Sequence, residues 1–164
     1  MPIKRLLVPY DFSAYAAHAL QWALTLADRW GAKVMLLHIT PFFSRVTYGR
    51  GMLLSNLHKA EAALVVRAEK GLQEVVAQHR STVTIETRAL MGESVWDEIC
   101  QAARREEADL IVMGSHGHSG LAHVLLGSVA EWIVRHAPCP VLVARLPRHG
   151  AVQAMEIRPE PESH

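Results

Sequence analysis

Hydrophobic positions along this chain alternate between short apolar runs and longer stretches with a helical period. Residues 3–8 are a short run, a strand by composition, broken by Pro9-Tyr10-Asp11-Phe12-Ser13. Ala16, Leu20, Ala23, Leu24 and Ala27 then share one face of a helix, because residues three and four apart stack on the same side. Ser13 is placed to cap the start of that helix, and Gly31 to end it in the left-handed conformation. Residues 33–39 form a second strand, in which Val34, Met35, Leu36 and Leu37 are continuous, as suits a parallel strand covered on both faces. Residues 40–54, with Pro41, two phenylalanines, Gly49, Arg50 and Gly51, carry no period and read as a connection that could move. A long helix over about 55–79 follows, its face marked by Leu57, Glu61, Leu64, Ala68, Leu72, Val75 and Val76, with Gly71 as a weak spot.

The second half repeats the scheme. Residues 82–89 alternate Val83, Ile85, Thr87 and Ala89, which predicts a third strand at a sheet edge, half exposed. Gly92-Glu93-Ser94 is a turn, with Ser94 capping a helix to about Glu106 whose inner face holds Val95, Ile99, Ala102 and Ala103. Residues 110–114 are a fourth strand. Ser128-x-x-Glu131 has the form of a capping box for a helix ending at His136. Pro138 and Pro140 forbid its continuation, and Val141-Leu142-Val143-Ala144 is a fifth strand. Strands alternating with helices predict an α/β fold: a doubly wound parallel sheet of five strands with helices on both faces. Residues 146–164 are rich in Pro, Arg, Glu and His and are expected to be a disordered tail.

Composition narrows the partners. The chain has 164 residues, half hydrophobic and a fifth charged, with a net charge of +1. That is one soluble domain, with no charge excess to attract nucleic acid or an acidic membrane surface. No apolar run approaches the roughly 18 residues of a membrane span, and the N-terminus is not of signal-peptide type. The two cysteines, Cys100 and Cys139, lack metal or CxxC spacing and suit reduced thiols in a cytoplasmic protein.

The chemistry concentrates between residues 110 and 129. The strand stops at Gly114, glycine recurs at Gly117, Gly120 and Gly127, and Ser128 opens a helix. A strand, a glycine-rich loop and a helix start together make a phosphate-binding arrangement. Glycine lets the backbone approach an anion, and the helix start offers unpaired N–H groups with a partial charge of roughly +0.5. The spacing is neither that of a P-loop nor that of a dinucleotide fingerprint. Gly114-x2-Gly117-x9-Gly127-Ser128 instead resembles the ATP-binding signature of the universal stress protein family. Pro138 to Val143 resembles that family's last strand, and Leu6 to Ser13 its first strand and loop. The resemblance runs from about Ile3 to Arg145, and implies one nucleotide-binding domain over residues 1–145 with strand order 3-2-1-4-5. Strands one and four would then flank the crevice where a doubly wound sheet binds ligands.

The resemblance also implies roles. Asp11 would bond the ribose or adenine side of ATP, although a helix-capping role with Ser13 explains it too. Ile39 and Met113 would lie against adenine, or serve only as core. Gly114, Gly117, Gly127, Ser128 and Val129 would meet phosphates, with Pro9 and Tyr10 lining the other loop. Ser128 could equally cap its helix. His116, His118 and His123 would add donors, and a metal site at His116-x-His118 lacks a third ligand. The implied cofactor is ATP with magnesium, and the implied assembly a homodimer paired through Val141, Leu142 and Val143. The function implied is that of an ATP-binding regulatory or stress-response protein. An alternative is a slow ATP hydrolase or a phosphoryl or nucleotidyl transferase using the histidines of the glycine loop. Against it, the loop offers no lysine and no second carboxylate.

Overall fold

A computed structural model describes residues 2–42, 54–79, 81–117 and 126–146, with the backbone alone for 54–57. The expected connection over 43–53 and the expected tail from 147 lie outside the described residues. In chain order the elements are β1 (Arg5–Pro9), α1 (Ala14–Trp30), β2 (Lys33–Pro41), α2 (Leu54–Gln78), β3 (Ile85–Gly92), α3 (Val95–Arg105), β4 (Leu110–Gly114), α4 (Ser128–His136) and β5 (Val141–Ala144). The five strands are all parallel, in the order β3-β2-β1-β4-β5.

The apolar runs of the central strands serve two cores. Leu6, Val8, Val34, Leu36, Leu110 and Val112 pack with α1 and α2 through Ala19, Leu20, Ala23 and Leu72. The intervening Leu7, Leu37, Ile39, Ile111 and Met113 pack on the other face with Ile99, Ala103, Ala130 and Ile133 of α3 and α4. Period-two alternation along strands buried on both sides produces this division. Cys100 belongs to the second core and Cys139 packs against it. Burial pushes both thiols up, which disfavours the reactive thiolate. No described helix is long and apolar enough to cross a membrane.

Caps and strand ends differ from expectation in informative ways. Ser13 caps α1, its Oγ accepting from Ala16 N at 3.2 Å, and Gly31 takes the left-handed φ of 64°. Ser94 holds the N-cap position of α3, but its side chain makes no capping bond. β1 begins at Arg5 rather than Ile3, because the N–H groups of Lys4 and Arg5 are taken by the Asp109 carboxylate at 2.7 and 3.0 Å. β3 begins at Ile85, not Thr82. Residues 81–83 are held in a turn, with Val83 N bonding Ser81 Oγ and Thr82 Oγ1 bonding Asp28. The strand then follows β2 as far as the Pro41–Gly92 pair, past the point where alternation ends in sequence.

Candidate functional site

β1 pairs with β2 on one side and β4 on the other, so the strand order reverses between β1 and β4. Above their carboxyl ends lies a cleft of about 480 Å³. Pro9, Tyr10, Asp11, Ile39, Met113, Gly114, His116, Gly117, Gly127, Ser128 and Val129 all line it. His118 lies outside the described residues, as do Gly120 and His123. The structure adds Ala16, Leu37, His38, Pro41, Val95, Ile99 and Ala130 to the wall. Val95 and Ile99 were legible only as the inner face of a helix. Nothing in their spacing distinguishes a core position from one that rims a cleft.

One wall is the turn after β1. Tyr10 N extends the pairing with β2 by bonding Leu37 O at 2.8 Å, and Tyr10 O meets His38 Nδ1 at 2.8 Å. Asp11 Oδ1 accepts from Ser13 N at 3.0 Å. Its other oxygen faces the glycine loop: a Cβ built on Gly117 would stand 2.6 Å from Asp11 Oδ2. The carboxylate therefore serves the turn and the cleft together. Burial, and then the charge of Asp11, push the Tyr10 phenol up, so it stays neutral in neutral solution.

The opposite wall is the glycine loop and the start of α4. Ser115 N bonds Ala144 O at 3.1 Å, and Gly127 N bonds Ser115 O at 2.8 Å, which ties α4 to the end of β4. Ser115 Oγ lies 3.0 Å from His116 Nδ1, and the imidazole lies 5.4 Å from the Tyr15 ring, centroid to centroid. The expected capping box is corrected here. Gly127 is the N-cap, with φ −67° and ψ 153°, and Ser128 is already the first helical residue. Gly127 O accepts from Glu131 N at 2.9 Å, and the Glu131 carboxylate turns outward to Arg135 at 2.6 Å. A glycine cap has no side chain to satisfy the first N–H groups. Ser128, Val129 and Ala130 carry those groups, and all three line the cleft.

The lining thus combines apolar side chains, Leu37, Ile39, Val95, Ile99 and Met113, with the first N–H groups of α4, which no side chain caps. Among the described residues no three His, Cys, Asp or Glu side chains come together as a metal-ion site.

The model of the universal stress protein family matches residues 2–145. The chain belongs to the universal stress protein family. Among its relatives, universal stress protein MJ0531 of Methanocaldococcus jannaschii is 34% identical over 148 residues, covering 88% of this chain and 84% of that one. The structure of hypothetical protein MJ0577 is 26% identical with a TM-score of 0.78, covering 90% of this chain and 99% of that one. A universal stress protein solved in complex with cAMP is 25% identical with a TM-score of 0.61, over 88% and 98% of the two chains. The doubly wound sheet of this member is thus shared with its relatives.

Proposed function

We propose that this universal stress protein binds ATP in the cleft between β1 and β4 and acts as a nucleotide-dependent regulatory protein of the stress response. One observation carries the reading: a helix start that no side chain caps, glycines of the preceding loop and a set of apolar side chains line one cleft. Its volume is in the range of small-ligand sites. The related protein that binds cAMP supports an adenine nucleotide as the ligand class. In this reading Ile39 and Met113 pack on adenine, and Asp11 accepts from ribose hydroxyls. Backbone groups of Gly114, Gly117, Gly127, Ser128 and Val129 meet the phosphates, with His116 beside them. Pro9 and Tyr10 complete the wall, and His118 is a further candidate from the same loop.

Magnesium fits the charge balance. Among the described residues the lining holds Asp11 but no lysine or arginine, so a divalent cation travelling with the triphosphate would offset repulsion from the carboxylate. The sheet edges support a homodimer. β3 carries Glu86 and Arg88, the kind of charge that guards an open edge, whereas β5 reads Val-Leu-Val-Ala. A second β5 is the natural cover. The reduced cysteines go with a cytoplasmic location.

The test is calorimetric titration of nucleotide-stripped protein with ATP, ADP and AMP, with and without magnesium. Micromolar binding of ATP, strengthened by magnesium, is expected. No binding of any of the three would overturn the reading. Multiple-turnover ATP consumption lost in His116→Ala would replace the regulator with an enzyme.

A further inference from the structure

We infer that Phe12 is a positioning residue for the cleft, and that its contact with Gly71 lets the placement of α2 set the geometry of Asp11. This rests on the nucleotide reading and goes beyond it, because Gly71 does not line the cleft. Phe12 has φ 64°, and among the described residues only Glu107 is another non-glycine with positive φ. Side chains avoid this conformation and glycine takes it freely. A phenylalanine there needs a reason that burial does not supply, since Phe12 remains 40% exposed.

The reason is in its three ring contacts. The ring meets Tyr10 edge-on, with centroids 5.4 Å apart and planes at 86°, and His38 at 5.1 Å. Both of those residues line the cleft. On the third side the ring lies over α2, where an added side chain would crowd it: a Cβ on Gly71 would be 3.0 Å from Phe12 Cε1 and 3.1 Å from Cζ. The Asp11–Ser13 bond spans Phe12, so the strained residue is the centre of the turn that aims the carboxylate at Gly117. Phe12 therefore ties the Asp11 turn to β2 through His38 and to α2 through Gly71. Strain held in place by surrounding contacts is a recurrent feature of ligand sites. It also explains why α2 carries a glycine in its packed face.

Gly71→Ala tests the link because its local and remote effects oppose each other. Alanine favours helix over glycine, yet its methyl group would press on the Phe12 ring, which must give by a few tenths of an ångström. ATP affinity is expected to fall at least about fivefold, the lower end of coupling between distinct sites. The thermal midpoint should be unchanged or raised. In a Phe12→Gly background, which keeps the backbone conformation and removes the ring, the same substitution should leave affinity unchanged. Wild-type binding that Gly71→Ala does not alter overturns this inference alone. So does a loss of equal size in both backgrounds, which would mean that α2 acts without Phe12. Absence of ATP binding by the wild type overturns the nucleotide reading and this inference with it.

Discussion

A methyl group added at Gly114 would lie 2.8 Å from Tyr15 Cβ and 2.9 Å from the Tyr15 backbone, whereas at Gly117 it would lie 2.6 Å from Asp11 Oδ2. The first collision is with the backbone of the first turn of α1, which cannot move without disturbing a core. The second is with a carboxylate in the cleft. At Gly127 the nearest atom is Ser115 O at 3.3 Å, a milder crowding. Gly114→Ala should therefore destabilise the fold by about 1–3 kcal/mol, the usual range for overpacking, as read by urea unfolding. Gly117→Ala should change stability by less than about 1 kcal/mol. It should weaken ATP by at least tenfold, about 1.4 kcal/mol. Equal stability losses in the two variants would count against this division. The spacing of the signature was legible in sequence, but these different duties were not, because what a glycine must avoid is set by residues far away in the chain.

At the scale of elements, the fifth strand makes a sharper prediction. Pro140 O accepts from Ile111 N at 3.0 Å, and Ala144 O accepts from Ser115 N at 3.1 Å, both on the β4 side. Backbone groups alternate in direction along a strand, so those of Val141 and Val143 face the open edge. Proline is tolerated on the outer side of an edge strand, where it removes only the outward N–H. Val143→Pro should leave the circular dichroism spectrum native while converting a dimer to a monomer in sedimentation. A dimer that persists would place the interface elsewhere. Val141-Leu142-Val143 was recognisable as a strand from its residues alone, yet its edge position depended on strand order, which periodicity does not contain. The β3 edge was recognisable because its outer face is polar.

For the whole molecule, the two halves of the sheet are pinned together at the end opposite the cleft. Asp109 accepts from the N–H groups of Lys4 and Arg5, and its own N–H returns a bond of 2.9 Å to Arg5 O. These backbone bonds hold its carboxyl below the usual range, with smaller help from the charges of Arg5 and Lys4. A lowered carboxyl contributes stability above its unfolded value of about 3.9 and loses it as pH falls through the folded value. The group is exposed, so the effect is modest. Asp109→Asn should lower the thermal midpoint by a few degrees at neutral pH, and the gap from wild type should close as pH falls below the carboxylate range. A gap that is constant with pH would assign the effect to geometry rather than charge.

Local pattern by itself determined the nine elements, because burial on one or two faces writes a period of 3.6 or 2 into the residues. Resemblance of the glycine signature pointed to a nucleotide and to the residues that now share one cleft. Tertiary structure decided what depends on distant partners. Ser128 became the first helical residue instead of a cap, because Gly127 N is held by Ser115 O and its own backbone opens the helix. Val95, Ile99 and His38 became cleft wall because the start of α3 and the end of β2 come to the carboxyl ends of β1 and β4. Phe12 takes a glycine-like φ of 64° with its ring against Gly71, 59 residues later in the chain. Each of these is a contact between segments far apart in sequence, and local pattern carries no record of which segments will meet.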